Sequence, residues 1–379
     1  MQYRTLGKLG TKVSALGFGC MRLPTKEDGK INREEAIRLI RKGIDSGINY
    51  IDTAWTYHGG ESEVVVGLAL KDGYRERVTL VTKCPIGRKE FTEPQHYDEY
   101  LDEELQRLDV NYIDFYLFHA LNKKTFEEKV LGLNLIERAL KAKEAGKIRH
   151  LAFSFHDTTE VLKQIIDSGY FDLMLVQYNI VDQVNHDMIN YAGEKGLAVA
   201  IMGSVGGGRL AGTDLPEEMK VWLTPGRNNL ADLALKFVLS NPNVSVALSG
   251  MGSEEMLDDN LSITSKDDYN QLSEREKESI DNIAKRFKEL CDNICTQCNY
   301  CQPCPNEVNI PFIFEALQRY QIYGFREGAK HSYSIIGKTP WVQGENALAC
   351  EECGECLEKC PQGIAIIDQL KKAHDILAN

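Results

Sequence analysis

Ala198-Val199-Ala200-Ile201-Met202-Gly203-Ser204-Val205-Gly206-Gly207-Gly208 is a short apolar run that ends abruptly on glycines. Six runs of the same kind precede it, Val13–Phe18, Ile48–Ile51, Val78–Thr82, Ile113–Phe118, Leu151–Ser154 and Leu173–Gln177, and one follows, Val244–Leu248, making eight. Most gaps hold a polar-start amphipathic segment long enough for a helix: Arg33–Asp45, Glu61–Lys71, Tyr97–Leu108, Phe126–Ala145, Thr158–Asp167 and Leu230–Leu239. Buried strands alternating with helices predict parallel strands joined by crossovers. Eight such units within about 260 residues match the size of an α/β (β/α)8 TIM barrel, and the rival is a doubly wound open sheet. No G-x-G-x-x-G follows the first run, whereas glycines follow the seventh, where barrels often bind phosphate, so the barrel is the expectation. Tyr3–Leu16, with Gly7 and Gly10, reads as an N-terminal β-hairpin that plugs the barrel's N-terminal end.

Composition narrows the classes further. The 379 residues are 43% hydrophobic and 26% charged, which fits a folded chain with a substantial core and excludes disorder. A formal charge of −12, from 44 basic and 56 acidic side chains, repels a nucleic-acid backbone or an anionic membrane surface. No stretch approaches the roughly 20 apolar residues of a spanning helix. The opening MQYRTLGKLG also lacks the apolar run of a signal peptide. The expectation is a cytoplasmic protein with neither a nucleic-acid nor a membrane partner.

Of eleven cysteines, Cys20 and Cys84 fall in the first 290 residues and nine lie between Cys291 and Cys360, which predicts two domains. In a reducing compartment disulfides are rare, so clustered cysteines point to metal ligands. Cys350-x2-Cys353-x2-Cys356-x3-Cys360-Pro361 has the spacing of bacterial ferredoxins, where three thiolates hold one cubane and the fourth reaches a neighbouring one. Cys295-x2-Cys298-x2-Cys301-x2-Cys304-Pro305 is nearly the same motif, one residue shorter before its Cys-Pro. Two runs imply two 4Fe-4S clusters. With the fourth cysteine of each run crossing over, one takes Cys295, Cys298, Cys301 and Cys360, and the other Cys350, Cys353, Cys356 and Cys304. A zinc ribbon also uses paired C-x2-C but calls for neither a third cysteine nor a Cys-Pro end. A single cluster on the Cys350 run is the other alternative. Cys20, Cys84 and Cys291 read as non-ligands. The segment Asn306–Ala349 between the runs contains the amphipathic Ile310–Tyr320, so the module resembles helical two-cluster ferredoxins and should show pseudo-symmetry. The expected division is a barrel over residues 1–265, a connecting helix on its outside over 266–290, and a small, mostly helical ferredoxin-like iron-sulfur domain over 291–379.

Chemistry in barrels gathers at the C-terminal strand ends. After the second run comes Ile51-Asp52-Thr53-Ala54-Trp55-Thr56-Tyr57, after the third Val81-Thr82-Lys83, and after the fourth Leu117-Phe118-His119. A buried Lys beside a Tyr favours the phenolate, and an Asp paired with that Lys keeps it charged and oriented, so such a Tyr can donate a proton. Singly, Asp52 reads as a helix cap, Lys83 as a solvated charge and His119 as a core histidine. Together, Asp52, Tyr57, Lys83 and His119 match the Asp, Tyr, Lys and His tetrad of the aldo-keto reductases, and roughly the first 265 residues resemble that family. With the cysteine tail, the chain resembles the subgroup that carries a C-terminal ferredoxin-type domain.

The resemblance implies NAD(P)H-dependent hydride transfer that interconverts a small-molecule carbonyl, aldehyde or ketone, and an alcohol. Tyr57 would be the general acid/base and His119 would orient the oxygen. It also implies that Ser154 and Gln177 contact the carboxamide, with Phe155 where the family often has Asn, and that Met202 packs on the nicotinamide in place of an aromatic. Within Gly203–Arg209, Gly203, Ser204, Gly207 and Gly208 would cradle the pyrophosphate. Gly250, Ser253, Asp259 and Asn260 would take the adenosine side. Glu254, Glu255, Asp258 and Asp259 surround that end without a Lys or Arg, leaving NAD and NADP both open. Trp55 and His58 are expected pocket walls.

A hydride carries two electrons and a cubane exchanges one, a gap normally bridged by a flavin. Three readings follow: the clusters feed a substrate, exchange electrons with a redox partner protein or flavin, or are structural. The main alternative to a carbonyl reductase is an iron-sulfur electron-carrier or interaction protein built on a barrel that no longer reduces carbonyls.

Overall fold

The computed structural model of the chain describes residues 1–26, 28–212, 215, 217–227, 229–290, 295–322, 325–339 and 342–378, so Cys291 lies outside the described residues. Its strands are β1 (Tyr3–Thr5), β2 (Lys12–Ser14), β3 (Leu16–Gly19), β4 (Tyr50–Asp52), β5 (Thr79–Cys84), β6 (Ile113–Leu121), β7 (Ile148–Phe155), β8 (Leu173–Gln177), β9 (Ala198–Met202) and β10 (Val246–Ser249). β3 to β10 pair in parallel and close into a barrel in the order β10-β3-β4-β5-β6-β7-β8-β9. Helices α1 (Arg33–Asp45), α2 (Glu61–Ala69), α3 (His96–Leu108), α4 (Leu135–Glu144), α5 (Thr159–Asp167) and α6 (His186–Glu194) alternate with the strands. The short α7 (Glu217–Lys220), α8 (Ala231–Ser240) and α9 (Glu254–Thr264) follow.

Strand side chains alternate between the two faces, and here the alternation sorts apolar from polar along the barrel. Tyr50, Val81, Leu117, Ala152, Leu175 and Ala200 belong to one buried cluster. One step of two residues further along each strand lie Asp52, Lys83, His119, Ser154, Gln177 and Met202. The first set fills the barrel, and the second, polar except for Met202, crowns its C-terminal end.

β1 and β2 pair antiparallel, Tyr3 opposite Ser14 and Thr5 opposite Lys12. Leu6 and Val13 of this hairpin are fully buried in the same cluster, which is the plug expected from sequence. The hairpin closes on the start of β9, where the Lys8 amide donates to the Gly196 carbonyl (2.9 Å). Gly7 is required there: its φ is +43°, and a Cβ would stand 2.5 Å from that carbonyl oxygen.

Two expected helices are shorter in the structure. Phe126–Ala145 is not one helix but a wide π-type turn, Thr125–Leu131, followed by α4, because Asn134 adopts a left-handed conformation (φ 53°) and its amide bonds the Glu137 carboxylate (2.6 Å). The segment 266–290 becomes helical only at α10 (Glu274–Leu290). Ser273 and Glu276 form a capping box, the Ser273 amide donating to Glu276 Oε2 (2.7 Å) and the Glu276 amide to Ser273 Oγ (3.3 Å).

Contacts divide the chain into two compact units, residues 1–204 with 234–272, and residues 205–233 with 273–379. The second unit holds α10 and then α11 (Ile310–Gln321), α12 (Arg326–Ser334), the short α13 (Glu355–Lys359) and α14 (Ile366–Leu377). Its core joins Ile313, Phe314 and Leu317 of α11 to Tyr333 of α12 and to Leu370, Ala373 and Leu377 of α14. Tyr333 Oη meets His374 Nδ1 (2.8 Å) and accepts from the Ala347 amide (3.2 Å).

Candidate functional site

Asp52 ends β4, Lys83 lies near the end of β5, His119 lies on β6, and Tyr57 follows in the turn after β4. Lys83 Nζ donates to Asp52 Oδ1 (2.6 Å), to the Thr53 carbonyl (2.7 Å) and to Tyr57 Oη (3.1 Å). Lys83 is 1% exposed and Asp52 3%, so among the described residues these three hydrogen bonds stand against the cost of burial. Burial raises the Asp52 carboxyl above its ordinary range, with the Lys83 ammonium pulling the other way. The rings of Tyr57 and His119 meet edge-on, centroids 6.1 Å apart. Burial, then the charges of Lys83 and His156, push the His119 imidazole well below its usual range, so it is neutral. The four predicted residues are thus brought together as a buried cation on a phenol, with a neutral imidazole beside it.

Ser154, Gln177 and Met202 stand at the ends of the next three strands. Ser154 Oγ accepts from the Ala120 amide (2.8 Å), tying β7 to the residue after His119. Gln177 Nε2 donates to Asp182 Oδ2 (2.7 Å). The Gly203 carbonyl accepts from Asn179 Nδ2 (2.9 Å). Ser204 Oγ is buried and makes no hydrogen bond among the described residues, which fits a residue that could bond a bound group. Gly207 and Gly208 lie in a short 3-10 turn that belongs to the second unit. Gly250 packs on Arg22, Ser253 caps α9 by accepting from the Met256 amide (3.3 Å), and Asp259 and Asn260 lie on α9. Asn260 Nδ2 donates to Ser249 Oγ (2.9 Å), which fixes the β10–α9 turn. The acidic start of α9 is met by α1, where Arg38 pairs with Glu254, and Lys42 pairs with Glu254 (2.6 Å) and Asp258 (2.7 Å).

Sequence reasoning missed the buried Glu63 and Glu104 and the half-buried Arg107. A signal existed: the buried face of α3, Tyr97, Leu101, Glu104 and Leu108, is apolar except for Glu104.

In the second unit the thiols surround two cavities. Cys295, Cys298, Cys301 and Cys360 line one, with Ile310, Phe314 and Ile366. Cys304, Cys350, Cys353 and Cys356 line the other, with Val308 and Leu370, and Cys301 reaches it too. Both runs wind alike. Gln297 and Glu352 (each φ 56°) follow the first cysteine by two, Asn299 (63°) and Gly354 (81°) follow the second by one, and Glu307 (54°) and Gly363 (59°) follow the last by three. The Gln297 amide donates to Cys295 Sγ (3.4 Å), the kind of contact that tunes cluster thiolates. Burial, and then the neighbouring thiols, push Cys295 up to about 11 and Cys301 up to about 12, so a bound cationic centre is needed to hold them as thiolates. Among the described residues no three His, Cys, Asp or Glu are gathered as a single metal ion requires, whereas four thiols around an apolar cavity fit a larger polynuclear centre. Cys20 and Cys84 are fully buried in the barrel unit.

A family model described as the aldo/keto reductase family matches residues 15–285. The chain belongs to the aldo/keto reductase family. A second model, a 4Fe-4S dicluster domain, matches residues 294–365. This aldo/keto reductase is 27% identical over 287 residues to the L-galactose dehydrogenase of Arabidopsis thaliana, covering 70% of the chain and 89% of the relative. It is 29% identical over 225 residues to the NADH-specific methylglyoxal reductase of Escherichia coli, covering 55% and 67%. The match to probable aldo-keto reductase 1 of Glycine max, 32% identical over 155 residues, covers 39% of the chain and spans only 43% of that relative. Among solved structures, the holo form of aldo-keto reductase AKR11C1 from Bacillus halodurans is similar at a TM-score of 0.63 and 28% identity, covering 75% of this chain and 96% of the other. Membership makes the chain an NAD(P)-dependent type of oxidoreductase. Among the described residues no helix is long and apolar enough to cross a membrane.

A neutral His119 has a consequence for stability. Its folded pKa lies below the free value of 6.5, so the unfolded chain takes up the proton first, and stability falls as pH drops below 6.5. Thermal melts of native protein and His119→Asn between pH 8 and pH 5 should show the variant losing less over the acidic half of that range.

Proposed function

We propose that the chain is an NAD(P)H-dependent carbonyl reductase in which Tyr57 is the general acid, or the base in the alcohol-oxidising direction. The contact of Lys83 Nζ with Tyr57 Oη at 3.1 Å, with Asp52 behind it, carries this reading. A bound nicotinamide supplies the hydride. Tyr57 Oη gives its proton to the carbonyl oxygen as negative charge develops there, and the Lys83 ammonium stabilises the phenolate left behind. Neutral His119 hydrogen-bonds the same oxygen and fixes its direction without competing as an acid. Asp52 holds the ammonium in place and is not itself a proton donor. Ser154, Gln177 and Met202 at the barrel end would hold the nicotinamide, Gly203 and Ser204 the pyrophosphate, and Gly250, Ser253, Asp259 and Asn260 the adenosine side. The substrate is a small aldehyde or ketone, or the corresponding alcohol, in the cytoplasm.

In the second unit, Cys295, Cys298, Cys301 and Cys360 would hold one 4Fe-4S cluster, and Cys304, Cys350, Cys353 and Cys356 the other. The two thiol-lined cavities support this crossing of the last cysteines. Such clusters supply one-electron capacity, exchanged with a redox partner protein or a flavin, or serve the fold.

Two measurements check these assignments. Tyr57→Phe should lower kcat on an aldehyde and ketone panel by about 10²–10⁴-fold while NADH or NADPH still binds, and unchanged turnover contradicts the role of Tyr57. Anaerobically reconstituted protein should hold about eight irons with as many sulfides, and Cys298→Ser about four, since only one ligand set is broken. Zinc without sulfide contradicts the cluster reading.

A further inference from the structure

The turn that carries Tyr57 is conformationally costly. His58, Gly59 and Gly60 follow it with φ of 51°, 65° and 93°, three consecutive left-handed residues, the first of them not a glycine. Gly59 and Gly60 adopt such angles freely, so the strain sits at His58, which keeps its angle only where the surroundings hold it. One side chain touches both ends. Arg107 of α3 directs Nη1 to the Trp55 carbonyl (3.5 Å), two residues before Tyr57, and to Glu63 Oε2 (3.3 Å), just past the turn in α2. Its Nη2 pairs with Glu103. The guanidinium lies 4.6 Å from the centroid of the Trp55 ring, as does that of Arg88. Trp55 is further fixed by Tyr100, edge-on at 5.3 Å, and by its Nε1 donating to Glu103 Oε2 (3.4 Å). Gly60 makes the approach possible, because a Cβ there would stand 2.7 Å from Arg107 Nη1.

We propose that Arg107 is a positioning residue for Tyr57, a clamp that spans the left-handed turn from Trp55 to Glu63 and holds the phenol on Lys83 Nζ. The proposal rests on the carbonyl-reductase reading for its effect on turnover, but not for the clamp itself.

The clamp has its own foundation. Glu63 is fully buried, and its Oε1 accepts from Thr82 Oγ1 (2.6 Å), so the carboxylate that anchors Arg107 also grips β5 at the residue before Lys83. Glu104, also fully buried, lies beside Glu63 and Tyr116. Burial and then the charge of Glu63 push the Glu104 carboxyl well above its usual range. Burial raises the Glu63 carboxyl too, with the Thr82 hydroxyl and Arg107 pulling the other way, so Glu63 is the member of the pair that faces a cation. The distances tie the Tyr57 turn and the Lys83 strand to one buried carboxylate through separate hydrogen bonds.

The test compares native protein, Arg107→Met and Arg107→Lys as full-length, cluster-reconstituted chains. Amide hydrogen exchange without added nucleotide reads the clamp directly. Arg107→Met should raise exchange of the peptide covering residues 54–60 by about tenfold while β6 keeps its protection, and Arg107→Lys, which keeps charge but loses the fork, should fall between. With methylglyoxal as carbonyl probe, kcat should drop about tenfold while the affinity for NADH changes by less than about twofold, because only the transition state needs the phenol in place. Unaltered exchange over residues 54–60 overturns the clamp, and so does a loss shared evenly by kcat, NADH affinity and β6 protection, which marks a merely structural arginine. If Arg107→Met does not fold, Arg107→Lys decides alone, by raised exchange at residues 54–60 or none. Tyr57→Phe run alongside separates the two ideas: turnover that survives it overturns the carbonyl-reductase reading and leaves the exchange result standing.

Discussion

A single buried ammonium organises the barrel end. Lys83 Nζ is closed off from water and takes all three of its contacts, Asp52 Oδ1, the Thr53 carbonyl and Tyr57 Oη, from one short stretch of chain. A charge in that position is tolerated only with good partners, and removing one from a buried pair typically costs about 3–5 kcal/mol. The stretch from Asp52 to Tyr57 is therefore held against β5 by more than strand pairing. The β4–β5 register, Asp52 opposite Val81, sets the ion pair, and the ion pair sets the phenol. The same ammonium also helps keep His119 neutral, so one charge prepares both groups that would face a carbonyl oxygen.

The second unit solves a different problem with comparable means. Its helices are few and its core modest, and six of its cysteines pack against that core half-buried. Burial raises the thiols of Cys295, Cys301 and Cys356 among them. Two windings with left-handed residues at matching positions turn both cysteine runs the same way, and each cavity draws cysteines from both runs. Loops far apart in sequence thereby face a common cavity, and a polynuclear centre held there would tie them together.

Much of the barrel was legible because its signals are local. β8 and β9 occupy the residues expected, since each is an apolar run buried on both sides, and α1 does so because its apolar face is uninterrupted. The tetrad was legible because strand parity carries the inward face from Val81 to Lys83 and from Leu117 to His119. The shortened α10 was readable in principle, since Ser273 and Glu276 spell a capping box. The break at Asn134 was less so, because a polar residue inside a helical pattern seldom adopts a left-handed conformation. What local patterns could not supply is pairing between distant segments. Glu63, Thr82, Glu104 and Arg107 come from two helices and a strand, and nothing in any one segment says that they share a buried site. The bond from Asn260 to Ser249 is a similar case, joining α9 to the end of β10.

The central claim is that two electrons move as a hydride onto a carbonyl carbon beside Tyr57. The most direct measurement follows the label from NADH or NADPH deuterated at the transferable nicotinamide position into the alcohol product, under anaerobic conditions with the clusters intact. The account predicts one deuterium on the former carbonyl carbon and none exchanged with solvent. An alcohol formed without the label, with the deuterium lost to water and the cluster absorbance bleaching during turnover, would contradict it and move the chemistry to one-electron steps through the cysteine-rich unit.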